Sequence, residues 1–151
     1  MKIGIAADHA GLEQKQKLVS LLKEAQVEVV DFGAHEYISD DDFPDVVSPL
    51  AKAISIGEVS KGIAVCGSGV GVSIAANKFP GVRAALISET YSAHQGVEHD
   101  AMNLICVGGR VLGVSLIWEI IQAFLAASFQ EEERFVRRLL KVQELENRHF
   151  K

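Results

Sequence analysis

Gly62–Asn77 read GIAVCGSGVGVSIAAN. A short apolar run, Gly62 to Val65, opens into a turn in which Cys66 is followed by Gly67, Gly69 and Gly71 at alternate positions. Val72 to Asn77 continues as a helix until Phe79-Pro80-Gly81 breaks it. A buried strand that passes through glycines into a helix is half of a βαβ unit. The turn itself has three readings: a nucleotide loop, the seat of a reactive thiol, or a plain reversal of the chain.

The flanking sequence repeats the alternation. Upstream, Lys2 to Ala6 is a short apolar strand, Gly11 to Ala25 a helix, and Val27 to Asp31 a second strand. In that first helix Leu12, Val19 and Leu22 fall on one face. A polar loop, Phe32 to Pro44, carries the acidic run Asp40-Asp41-Asp42, and Phe43-Pro44 is expected to end it before a helix over Asp45 to Ile56. Downstream, strands are expected over Val82 to Ile87 and Leu104 to Val107, with a helix over Glu89 to Val97. Gly108-Gly109-Arg110 makes a second tight turn ahead of a long helix from about Val114 to Ser128, and Glu131 to Arg148 forms a last one. Five apolar strands alternating with helices predict a three-layer α/β domain. It is a Rossmann-like, flavodoxin-like doubly wound parallel sheet with a C-terminal helix. No linker or repeat divides residues 1–151, so a single domain is expected.

Composition narrows the function. The net charge of −5 and the absence of basic residues interleaved with aromatics argue against nucleic acid. No apolar run is long enough to span a bilayer, so no membrane partner is expected. The two cysteines, Cys66 and Cys106, each end an apolar run, which is neither a disulfide framework nor a metal-ligand spacing. With no secretory leader pattern at Met1-Lys2-Ile3-Gly4, the expected location is cytoplasmic.

In doubly wound folds the ligand sits beyond the carboxyl ends of the strands. Asp8 and His9 follow the first strand; Cys66, Gly67, Ser68, Gly69 and Gly71 follow the third; Arg110 follows the fifth. His99 and Asp100, just ahead of the fifth strand, are expected on the same rim. Glycines leading into a helix expose N–H groups to an anion or a developing oxyanion. The spacing here is G-x-G-x-G rather than the dinucleotide pattern, and Asp31 holds the place of a ribose-binding acid without the glycine fingerprint in the first turn. Cys66, before a helix start that favours thiolate, is a candidate nucleophile or general base, whereas Cys106 reads as core. Two histidines near one rim suit acid–base work at neutral pH. Arg134 and Arg138, four apart, project from one helical face and could grip a phosphate, although Glu131, Glu132 and Glu133 also fit a solvated mixed-charge face.

Several stretches together resemble the ribose-5-phosphate isomerase B family, which also includes galactose- and allose-6-phosphate isomerases. They are AADHAG (6–11), DFGAH (31–35), DDFPD (41–45), CGSGVGVSIAANKFPGVRAAL (66–86), EHDAMNLICVGGRV (98–111) and the Arg134/Arg138 pair. The resemblance runs nearly end to end. It implies an aldose–ketose isomerase without metal or organic cofactor, working through a cis-enediolate. It further implies that Cys66 is the base, since Val72 stands where another branch of the family carries a glutamate. By the same resemblance His99 opens the sugar ring and Asp8 and His9 touch substrate. The loop Gly67, Ser68, Gly69, Val70 and Gly71 would surround the enediolate, while Arg110, Arg134 and Arg138 hold the sugar or its phosphate. A homodimer or dimer of dimers with sites at the subunit interface is implied too. Ribose 5-phosphate is the first expected substrate. A six-carbon sugar 6-phosphate, a non-catalytic sugar-phosphate sensor on the same fold, and an enzyme using Cys66 as a nucleophile are the alternatives. One position departs from the pattern of many family members: Asp100 follows His99 where they carry an asparagine, and an ionised acid there can only accept hydrogen bonds.

Overall fold

The computed structural model describes residues 1–150; Lys151, the last residue of the expected domain, lies outside them. Eleven elements alternate: β1 (Lys2–Ala7), α1 (Leu12–Glu24), β2 (Glu28–Asp31), α2 (Phe43–Ser55), β3 (Lys61–Cys66), α3 (Val70–Ala76), β4 (Ala84–Leu86), α4 (Thr90–Asp100), β5 (Leu104–Gly108), α5 (Val114–Ala126) and α6 (Glu133–His149). The strands form one parallel sheet in the order β2-β1-β3-β5-β4. The expected doubly wound, Rossmann-like architecture is therefore present. The last two strands are exchanged relative to the flavodoxin order 2-1-3-4-5.

Side-chain alternation builds two cores, one on each face. Ile3, Ile5, Ile63, Val65, Ile105 and Val107 point toward α1, α4 and α5. Ala6, Ala64, Cys66, Leu104 and Cys106 point toward α2 and α3. The right-handed crossover rule accounts for this division. Connections that step toward the β2 edge, β1–α1–β2 and β4–α4–β5, place their helices on one face. Those that step toward the β4 edge, β2–α2–β3 and β3–α3–β4, place theirs on the other. Helix α6 then docks outside α4 through its one fully apolar anchor, the buried Phe135.

Several boundaries shift from those expected, and at three elements the structure shows a local reason. Phe43 and Pro44 begin α2 rather than ending the loop before it. Proline is compatible with a first helical turn, where its missing N–H has no partner to lose. Strand β4 is only three residues long, because Val82 is held in a turn by the Phe79 carbonyl and Arg83 donates its N–H to Asn103 Oδ1. Helix α4 continues through Asp100, closed by Ala101 in the left-handed conformation.

Asp31, considered above as a ribose ligand, has a structural engagement instead. Its oxygens lie 2.8 and 2.9 Å from Nζ of Lys15, a lysine only 1% exposed beneath α1, and Lys15 also donates to the Ala34 carbonyl. Lys15→Met keeps the apolar stem but strands those acceptors, one of which is a partly exposed carboxylate. The expected loss of unfolding free energy is about 1–3 kcal/mol by urea titration, with no change of fold.

Candidate active site

The strand order reverses direction between β1 and β3, so their carboxyl ends diverge into a crevice at the switch point. Three turns meet there. The Asp8 N–H donates to the Val65 carbonyl (3.3 Å), the Gly109 N–H to the Cys66 carbonyl (2.8 Å), and the Arg110 N–H to the Gly67 carbonyl (3.0 Å). Close approach of α1 to β3 depends on Gly11, since a Cβ at that position would run into the Val65 carbonyl. The resulting cleft has a volume of ≈ 500 Å³ and is lined by Asp8, His9, Phe43, Cys66, Gly67, Ser68 and Arg110 among others.

Cys66 lies at its floor, 5% exposed, with Sγ accepting the Gly69 N–H at 3.1 Å. That bond requires the chain to double back within three residues, which Gly69 permits at φ +82°. A side chain there would also strike Leu86 and the Val107 backbone. Ser68 Oγ accepts the Val70 N–H at 3.3 Å, while the N–H groups of Gly67 and Ser68 have no protein acceptor among the described residues. The thiol thus sits beside free backbone donors in a partly desolvated cleft, an arrangement that can remove a proton and stabilise the anion it leaves. Val70 and Gly71 open the following helix, and Gly71 lies against the ring of Phe43. Cys106 differs, as the sequence reading expected. It is fully buried, and desolvation, with a smaller effect from Cys66, pushes its thiol well above the ordinary cysteine range.

Asp8 and His9 are held by local bonds. One Asp8 oxygen accepts the N–H groups of Ala10 (3.0 Å) and Gly11 (3.1 Å), leaving the other for a ligand. His9 Nδ1 is 2.6 Å from Asp41 Oδ1, and Tyr37 meets the imidazole edge-on with centroids 6.0 Å apart. The sequence alone assigns no role to Asp41 or Phe43. Both lie in the DDFPD stretch, but nothing in a surface-like acidic run shows which member folds back onto β1.

His99 and Asp100 do not share this rim. Leu104, at the start of β5, pairs with Gly62, four residues or about 13 Å along β3 from Cys66. The chain reaches β5 through α4, which runs antiparallel to the strands, so residues just ahead of a strand lie at its amino end. There His99 stacks on Phe135 of α6 (4.1 Å, 13° between planes), with Gln95 Nε2 2.8 Å from its Nδ1. The Arg134 guanidinium lies 5.3 Å from the centre of the Phe135 ring. Arg137 pairs with Glu133 at 3.9 Å, whereas Arg134 and Arg138 are exposed and have no carboxylate partner among the described residues. The solvated-face alternative therefore fits Arg137 better than the other two. Asp100 is exposed on a larger, mainly apolar groove of ≈ 640 Å³ between α4 and the end of α6, which contains neither the thiol nor the glycine turn.

One chain thus carries two partial constellations: a thiol with backbone donors, and a histidine with unpaired arginines. The chain as a whole is similar to known isomerases along most of its length. The family model described as ribose/galactose isomerase matches residues 3–142. Ribose-5-phosphate isomerase B of Escherichia coli is 43% identical over 129 residues, 85% of this chain and 86% of that protein. The ribose-5-phosphate isomerase B structure from Clostridium thermocellum superposes with a TM-score of 0.94 at 41% identity, covering 99% of both chains. That of the Mycoplasma genitalium ribose-5-phosphate isomerase B, with bound ribulose 5-phosphate, gives 0.91 at 37%, covering 97% of this chain and 96% of that one.

Proposed function

The chain belongs to the ribose/galactose isomerase family, and on that footing we propose that it interconverts ribose 5-phosphate and ribulose 5-phosphate through a cis-enediolate. The observation that carries this reading is Cys66 Sγ at the switch-point cleft, hydrogen-bonded by Gly69 and flanked by the free N–H groups of Gly67 and Ser68. In the proposed reaction the Cys66 thiolate takes a proton from the carbon beside the substrate carbonyl, becoming the thiol, and returns it to the neighbouring carbon, which restores the thiolate. The glycine turn donates to the enediolate oxygens, and each such donor contributes about 3 kcal/mol to the transition state. Asp8 and His9 contact the sugar, and no step uses a metal or organic cofactor.

His99 is proposed to open the sugar ring, with Arg110, Arg134 and Arg138 gripping the sugar or its phosphate. Binding energy at that remote group holds the reacting carbons beside the thiol. Because His99, Arg134 and Arg138 lie away from the cleft of their own chain, the complete site is assigned to a homodimer or dimer of dimers, with a second copy lending them across the interface. A cytoplasmic setting belongs to the same reading.

The decisive experiment is NMR of the purified protein in D₂O with ribose 5-phosphate, allose 6-phosphate or galactose 6-phosphate. Product formation with deuterium entering beside the carbonyl of ribulose 5-phosphate is the expected outcome. Turnover of a six-carbon sugar alone would move the assignment within the family. A sugar phosphate that binds without exchange would make the protein a sensor, and a covalent adduct on Cys66 would make the thiol a nucleophile.

Asp100 offers a second check. An ionised acid at the last position of α4 would lie at the negative end of the helix dipole and would only accept hydrogen bonds. Asp100→Asn is expected to preserve or raise kcat/KM and to stabilise the fold by about 0.3–1 kcal/mol. A large loss of activity would show that the carboxylate itself is needed.

A further inference from the structure

The acidic run Asp40-Asp41-Asp42 is not uniform. Asp40 and Asp42 are exposed, whereas the Asp41 side chain is 10% exposed and turned back onto the start of α1. Its two oxygens each lie 3.1 Å from the His9 backbone nitrogen, and Oδ1 lies 2.6 Å from His9 Nδ1. One carboxylate therefore fixes both the main chain and the ring of a single residue at the wall of the cleft.

We propose that Asp41 is a positioning residue: it holds the His9 ring with Nδ1 as donor, so that Nε2 is the one polar atom His9 presents to the sugar phosphate. A carboxylate only accepts, so an Nδ1 at 2.6 Å carries the proton; the alternative tautomer would set two lone pairs against each other. Tyr37 closes the edge of the ring, and Asp8, the neighbouring acid, has one oxygen engaged by Ala10 and Gly11. The ring thus enters the cleft with its orientation and its proton set before substrate arrives, which lowers the cost of ordering a contact on binding. Asp41 acts through His9 and touches no reacting atom, so its contribution falls on substrate affinity. This rests on the proposed isomerase activity only for the kinetic part of the test.

The test compares wild type, Asp41→Asn and Asp41→Ala. Long-range ¹H–¹⁵N NMR of ¹⁵N-histidine protein without ligand reads the ring, with the His9 signals identified by their loss in His9→Gln. Wild type should show a hydrogen-bonded proton on Nδ1. Asp41→Asn, whose amide carbonyl still accepts, should keep that signature with KM within about threefold of wild type. Asp41→Ala should lose it and raise KM for ribose 5-phosphate about tenfold, with kcat changed less than about threefold. An unchanged ring signature in Asp41→Ala, or a KM that does not follow the signature across the pair, overturns the proposal. Should Asp41→Ala fail to fold, Asp41→Asn decides alone: loss of the Nδ1 proton there overturns it. If wild type turns over no sugar phosphate, the isomerase reading fails separately, while the ligand-free spectra still test the ring.

Discussion

Cys66→Ala is expected to lower isomerisation by about three to four orders of magnitude, at the upper end of what a positioned acid–base group supplies. Fold and sugar-phosphate affinity should be preserved. Other positions are less suited: Val72 is apolar, Cys106 is two residues short of the rim on the neighbouring strand and fully buried, and the cleft residues Asp8 and His9 are assigned to contacts with the sugar. Deuterium exchange into ribulose 5-phosphate should vanish with turnover, because both need the same proton removed, while calorimetric titration still detects binding. Alkylation supplies an independent arm. A small iodoacetamide should label Cys66 and extinguish activity with one equivalent incorporated. Cys106 should remain unlabelled, shielded by the sheet and held as a thiol by its burial. Retained exchange in Cys66→Ala would transfer the base to another residue and remove the centre of the proposed mechanism.

Mixing two inactive variants should restore activity. Cys66→Ala lacks the base; the double variant Arg134→Ala/Arg138→Ala lacks the unpaired arginines, and each is expected to fall to near background alone. If each site draws its thiol from one chain and its arginines from the other, a mixed dimer has one doubly defective site and one intact one. Random reassortment then recovers about a quarter of wild-type activity, since half the dimers are mixed and half of their sites are whole. The physical basis is the distance between the constellations: about 13 Å of strand separates the rim bearing Cys66 from the one from which His99 emerges. No recovery among dimers shown by differential tagging to be mixed would mean that each chain completes its own site. The two arginines would then have to reach the cleft by another route.

Much of the fold was legible because strands buried on both faces are written as uninterrupted apolar runs. Ile3-Gly4-Ile5-Ala6 and Ile63-Ala64-Val65-Cys66 announce central parallel strands without reference to anything distant. Strand β4 was less well bounded because it is short and lies at an edge, where Val82 and Arg83 belong to turn and loop contacts that depend on Asn103. The rim holding Asp8, Cys66 and Arg110 was also legible, since residues that follow parallel strands share one end of the sheet. His99 was misplaced by applying that rule to a residue that precedes a strand. Asp41 could not be singled out from Asp40 and Asp42, because which of the three turns inward is fixed by the path of the loop over His9 and not by its composition.

The exchange of the last two strands has a bearing on assembly during synthesis. Strand β4 has a single ladder neighbour, β5, and leaves the ribosome before it. Until Leu104–Gly108 enters the gap beside β3, residues 84–86 have no hydrogen-bonding partner in the sheet, whereas β1, β2 and β3 already form a contiguous three-stranded unit. The half of the domain that carries Cys66 can therefore assemble first, and the edge beside the larger groove is sealed only when the fifth strand is inserted.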